Sequence, residues 1–419
     1  MNKLLRPIKS GINYYLGTFK GLSKEVWLLS VVTFINRFGT MILPFLSIYL
    51  TSELCYSKED AGFIMAFFGV GALLGSFVGG YLTDKFGHFI VQTGSLFLGG
   101  CAFYTLQFLD DVIWQWCLLL ATATFLADAF RPAMFVAVKE YAHPETQTRS
   151  ITLIRLMINL GIAFGPAIGG FMAITYGYEW LFILDGGTCV MAGVFMLLFL
   201  RHTFYIPEQK TAAQKLELKQ KSPFKDKYFL FMMGMNLLCI MVFCQFFSIY
   251  TLFMKEELGY SEDIIGYVLV LNGLLIFFFE MPLVHDGEKK MDRNLMISIG
   301  TAMIGLAFVI FYIAHWAPLL IVILSIILIT FGEMLNFPFL NAKVLDATPE
   351  GAEGAYMGMY TMVWPLAMII APYLGLKLVD DFGFNAAWFA CGLLSAAASY
   401  GFYIQDQLFA DKQKEKHPL

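Results

Sequence analysis

Charge is what this chain has least of. Only 14% of its 419 residues are Asp, Glu, Lys or Arg, where a soluble globular protein carries about 25%. Hydrophobic residues make up 58%, and mean hydropathy is +0.67. A soluble core under a charged shell is therefore excluded, and the chain is embedded in a lipid bilayer. A basic excess is missing too. The 28 Lys and Arg face 32 Asp and Glu, a net charge of -4 with no basic tract for nucleic acid. The seven cysteines (Cys55, Cys101, Cys117, Cys189, Cys239, Cys244 and Cys391) are scattered singly. They have neither metal-ligand spacing nor a disulfide framework, and read as small buried hydrophobes. No phosphate loop, metal cluster or nucleophile–base set is present, so the sequence reads as neither an enzyme nor a carrier of a cofactor or metal. The first 24 residues are basic and mildly amphipathic but lack the apolar core and cleavage site of a signal peptide. They read as a segment lying on the membrane interface, with Tyr14, Tyr15 and Phe19 at headgroup depth.

What the chain has in quantity is long apolar runs. Twelve are long enough to span, at about 20 residues each: 25–53, 60–83, 89–109, 112–141, 147–175, 179–201, 226–256, 262–285, 294–314, 317–342, 353–378 and 384–404. They are numbered here as spans one to twelve. Of the 28 Lys and Arg, Lys58, Lys255 and Lys377 fall in alternate loops on one side, and Arg37, Arg131 and Arg155 fall within spans. The other 22 lie in the termini and the opposite loops, which predicts cytoplasmic termini in a multi-pass cell-membrane protein. The charged stretch before span seven divides the chain. The expected organisation is an N-terminal segment 1–24, a six-span half 25–201, a cytoplasmic linker 202–225, a second half 226–404 and a tail 405–419. The connection 201–227 holds six lysines between 210 and 227 and is expected to touch anionic headgroups.

The halves echo one another. Ser47-Ile48-Tyr49 matches Ser248-Ile249-Tyr250, Tyr56-Ser57 matches Tyr260-Ser261, Pro132 matches Pro338, Pro144 matches Pro349 and Pro166 matches Pro372. The offset stays between 201 and 206 residues. Parallel six-helix repeats suit alternating access, in which two similar halves rock about a site at the midplane. The expected fold is therefore an all-α membrane protein of twelve transmembrane helices in two six-helix pseudo-symmetric halves.

Two motifs bring a resemblance with them. "GGYLTDKFGHF" at 79–89, between spans two and three, resembles the signature loop of the major facilitator superfamily. Gly80, Asp84, Lys85 and Gly87 match, and His88 stands where a basic residue is usual. Gly80 and Gly87 suit a tight turn and close helix approach. Asp84 can meet a cation or a helix N-terminus and latch one conformation. "GIAFGPAIGG" at 161–170 in span five is similar to the antiporter signature of the drug:proton antiporters, with Gly161, Gly165, Pro166, Gly169 and Gly170 at the matching positions. Glycines four apart let another helix pack at backbone distance. The resemblance implies the superfamily fold and ion-driven secondary transport. It also implies that an arginine of span four influences proton release, for which Arg131 is the candidate.

Among the ionisable residues within the apolar runs, six are singled out: Arg37, Asp128, Arg131, Arg155, Glu280 and Glu333. A charge at the bilayer centre costs from about 2.5 to more than 10 kcal/mol, so such groups face an interior or a wet cavity. Asp128 and Arg131, three apart, share a helix face. Arg37 needs an anion, from another helix or from a substrate. Arg155 reads as structural, near enough to the membrane surface to snorkel. Glu280 and Glu333 have no deep lysine in their own half, and an unpaired buried acid tends to hold a proton. Glu333 is accordingly the expected proton or cation site, with Glu280, Asp128 and Arg37 as further coupling or substrate residues.

The leading expectation is a monomeric proton-coupled antiporter, with sodium as the alternative ion, exporting amphipathic or cationic small molecules. The alternative is a proton-coupled importer of small peptides or other small polar solutes. "NRFG" at 36–39 and "GEMLNFP" at 332–338 resemble parts of the oligopeptide:proton symporter pattern. Asn36 replaces that family's acid, and its double tyrosine is missing.

Overall fold

The structure, a computed structural model, describes residues 15–204 and 222–409, apart from 43, 44, 47, 48, 57, 110, 111 and 261. Tyr14, most of the linker, most of the tail and the repeat residues Ser47, Ile48, Ser57 and Ser261 lie outside the described residues. Every element that follows is helical.

Ten helices are long and apolar enough to cross a membrane among the described residues. One of them, Glu353–Leu408, turns at Gly383, whose φ of 79° is outside the helical region, and so supplies spans eleven and twelve. Span one is not an unbroken helix. Ser23 accepts from Val26 N at its start, the helix Lys24–Phe38 follows, and Gly39 ends it. Span seven is interrupted too, a few residues further along the repeat: Lys227–Cys244 gives way to a short turn at Gln245–Phe247 before Ile249–Glu256. Span four also comes in two pieces, Ile113–Asp128 and Phe130–Tyr141. Pro132 has no N–H to give and its ring crowds the carbonyl four residues back, at Asp128, where the first piece stops. The remaining spans are Lys58–Phe86, His88–Thr105, Gln147–Tyr176, Glu179–Phe199, Glu262–Lys290, Arg293–Val309 and Pro318–Ala347. Span ten therefore runs five residues past its expected end at 342, and Lys343 is helical and buried.

Packing follows the repeat. Span two lies on span four and span eight on span ten; span three lies on span six and span nine on span twelve. Between the halves, span two meets span eleven and span five meets span eight. The repeat exchanges those two seams, since span two corresponds to eight and five to eleven.

Hydrocarbon gives helices no hydrophobic reason to associate, so small residues and polar contacts hold them together. Span five shows the first device. A side chain at Gly161 would come within 2.7 Å of Arg37 Cβ, and one at Gly165 within 2.7 Å of the Phe38 carbonyl oxygen. The antiporter-like glycines thus let span five lie on the backbone of span one where that span ends its helix. Five of the seven cysteines are buried as expected, while Cys55 and Cys101 are exposed.

Candidate functional site

Where span one stops, its backbone needs partners, because the first N–H groups after a break have no helical acceptor. Asp185 of span six supplies them. Its carboxylate accepts from Met41 N at 2.9 Å and Ile42 N at 3.1 Å, and the residue is 4% exposed. Thr188 and Cys189, one turn along the same face, receive Gly39 and the Asn36 amide. Asp185 was missed in the sequence because it stands next to "GG" in a run whose ends were marked by other charges. Yet an acid in "LFILDGG" is the same signal that singled out Glu333.

The break opens a small cavity of about 50 Å³ lined by Arg37, Thr40, Thr124, Asp128 and Asp185, among others. That is room for water, which requires roughly 10–15 Å³ and polar partners. Asp128 lies 3.8 Å from Arg131, so the expected pair forms, and Arg37 shares its cavity. Two arginines and two acids balance here.

The second cluster does not balance. Arg155 reaches from span five to Glu280 of span eight, Nε to Oε1 at 2.8 Å, with Glu280 1% exposed. The guanidinium carbon also lies 5.1 Å from the centre of the Phe337 ring. Arg155 is therefore no snorkelling residue, and Glu280 does not lack a cation. The cation comes from the other half, a pairing that no search within one half could find. Glu280 also lies deeper than expected, because span eight continues ten residues beyond it to Lys290, roughly 15 Å of helix. Glu333 of span ten, 5% exposed, accepts from Asn272 Nδ2 at 3.0 Å and stands within the electrostatic reach of both Arg155 and Glu280. Asn272 also donates to Thr330 at 2.8 Å. Two buried carboxylates thus lie in the field of one guanidinium, which is bonded to Glu280. Lys343, ten residues on, does not serve them: its Nζ donates to Asn294 at 2.5 Å and Gln405 at 3.2 Å, tying spans nine, ten and twelve.

At the end of the bundle that carries the linker, the two seams are closed. In the first, Asp84 accepts from Gly354 N at 2.6 Å and Ala355 N at 2.8 Å, capping the N-terminus of span eleven. A Cβ at Gly80 would stand 2.1 Å from the Gly354 carbonyl oxygen, so only paired glycines allow this approach. Of the loop's other residues, Lys85 lies over the Phe86 ring at 5.0 Å, and Gly87 takes φ 85° to start span three. Lys139 pairs with Glu353 at 3.3 Å, and Gln147 donates to Asp346 at 3.2 Å. In the second seam, Arg155–Glu280 is joined by Arg149–Glu288 at 3.3 Å. Among the antiporter-like residues, Gly169 comes against Met41 and Gly170 against Phe45, while the Pro166 side chain lies outside the described residues. Among the described residues, no cluster of His, Cys, Asp or Glu could hold a metal ion.

Broken first helices, two repeated halves and seams between spans two and eleven and spans five and eight define a multi-pass transporter fold. The family model described as Major Facilitator Superfamily matches residues 28–372 and, again, 238–418. The chain belongs to the major facilitator superfamily. It is 26% identical over 391 residues to the MFS-type transporter YqjV of Bacillus subtilis, covering 91% of this chain and 93% of that one. It is 21% identical over 370 residues to the quinolone resistance protein NorA of Staphylococcus aureus, covering 86% and 91%. Among solved structures, a bacterial homologue of the iron transporter ferroportin in its outward-facing state superposes with TM-score 0.75 at 15% identity, covering 92% of this chain and all of that one. A POT family transporter bound to 5-aminolevulinic acid superposes with TM-score 0.66 at 16% identity, covering 94% and 97%.

Proposed function

We propose that this transporter is a proton-coupled exporter of amphipathic or cationic small molecules, working by alternating access with the linker end in the cytoplasm. The observation that carries the reading is the buried set of Arg155, Glu280 and Glu333. With both acids ionised the set is one negative charge in excess, and a buried uncompensated charge is costly. One further positive charge restores balance, as a proton on a carboxyl group or as a cationic solute. A site that accepts either, but not both together, couples the two by exchange. Glu333 is the carrier in this reading, because Arg155 is committed to Glu280. The similarity to NorA, a protein named for quinolone resistance, supports export. So do the glycines of span five, which pack against the break in span one.

The test uses proteoliposomes with an imposed pH gradient, given ethidium and a labelled dipeptide in parallel. Ethidium accumulation driven by the gradient is expected in the wild type. Glu333→Gln mimics the protonated acid and abolishes uphill transport while leaving downhill exchange. Glu333→Asp keeps part of the activity. Uphill transport that survives Glu333→Gln but not Glu280→Gln moves the carrier to span eight. Uptake of the dipeptide, in place of ethidium, overturns export and turns the reading to a symporter.

A further inference from the structure

We infer that residues 15–22, ahead of span one, form a strap across the seam of spans five and eight and bias the whole transporter toward the state closed at the linker end. The segment does not merely rest on the bilayer surface. Tyr15 Oη donates to the Phe277 carbonyl of span eight at 2.8 Å, five residues before the helix-interior Pro282. Its ring packs on Phe277 and Phe19. From the other side, Arg149 of span five donates to the Thr18 and Lys20 carbonyls at 3.3 and 3.2 Å while paired with Glu288 of span eight. Phe19 and Leu22 cover a cluster formed by Val26 of span one, Leu153 of span five and Met281 of span eight. Gly21, at φ 86°, turns the chain from strap to Ser23, the cap of span one.

The strap therefore holds both halves at once. Opening the linker end separates spans five and eight, so these contacts must be given up on at least one side. Contacts present in one state and absent in the other shift the equilibrium toward the first by their own free energy. Because the halves move as bodies, the shift reaches the seam of spans two and eleven, which the strap does not touch.

Hydrogen exchange in detergent or nanodiscs tests this without reference to any substrate. Tyr15→Ala with Phe19→Ala removes the strap's anchors and leaves its basic residues in place. Exchange is expected to quicken by roughly fivefold at 149–157 and 277–288, and also at 80–87 and 353–358 on the untouched seam. Quickening confined to 149–157 and 277–288 means the segment only covers its neighbours, and overturns the inference. No change at either seam overturns it as well. Tyr15→Phe, which keeps the ring and loses only the hydroxyl, serves if the double variant does not fold, and is expected to quicken both seams by a smaller factor. Failure of ethidium transport bears on the proposed export and leaves this result standing.

Discussion

At the linker end, spans two and eleven meet with Gly80 against Gly354 and no side chain between them, whereas spans five and eight meet through Arg149, Arg155, Glu280 and Glu288. The repeat relates these seams, so the two halves offer equivalent helices and the sequence fills them with opposite materials. The glycine seam is a matter of shape. Its acid Asp84 is held by backbone N–H groups at a helix N-terminus, where negative charge is favoured. The charged seam is a matter of balance, because its inner rung lies in the apolar interior beside a second acid, Glu333. A steric seam closes to a fixed distance whatever the ionic state. An ionic seam can be weakened by a single proton. In the proposed function, this difference gives one half-interface a hinge-like contact and the other a trigger.

The comparison is broken most severely by Gly354→Leu. A Cβ added there would stand 2.1 Å from the Gly80 carbonyl oxygen, and overpacking a tight contact costs about 1–3 kcal/mol or more. The linker end should fail to close. Transport in proteoliposomes is expected to fall below detection, with exchange at 80–87 raised in parallel. Wild-type transport in this variant would show that the glycine approach is dispensable.

Next in its effect on transport is Arg155→Gln, which leaves Glu280 buried without its cation. Removing one partner of a buried pair costs about 3–5 kcal/mol, read as a lower thermal midpoint and loss of uphill transport. Glu280→Gln in the same chain removes the stranded charge and should recover most of the stability but not the coupling. A double variant as unstable as the single would mean that packing of the Arg155 side chain, not its charge, holds this seam.

 The guanidinium carbon of Arg155 lies 5.1 Å from the centre of the Phe337 ring, so that outcome has a physical route.

The smallest effect belongs to Asp84→Asn. Asparagine can accept from Gly354 N or Ala355 N, but it brings no negative charge to the helix end. The loss is about 1–2 kcal/mol, which lowers the ratio of linker-closed to linker-open molecules by roughly five- to thirtyfold. Transport should slow without a fall in thermal stability. An unchanged rate would remove Asp84 from the latch and leave the glycines alone to define that seam.

Much of this was legible in the sequence. Spans, halves and the closeness of Gly80 to another helix follow from hydropathy, repeat and spacing, each of which is a local property of the chain. Asp84 meeting a helix N-terminus was readable as one of two options, because a carboxylate after a glycine turn has few other partners. The interruption of span one was not. Its sequence is apolar across Gly39 and Thr40, and the break depends on Asp185, more than 140 residues away, being present to take the freed N–H groups.

The chain's composition by itself determined that it lies in a membrane, and its repeat determined that two similar halves face one another. Both are set by free energies that add along the sequence: the transfer of apolar residues into lipid and the satisfaction of backbone groups within each helix. Only the tertiary structure decided which charges meet. Arg155 and Glu280 lie 125 residues apart and in different halves, and neither carries a mark of the other. Their pairing follows from two helices crossing at one depth, and in a medium of low dielectric the attraction of an ion pair grows steeply as its partners are brought close.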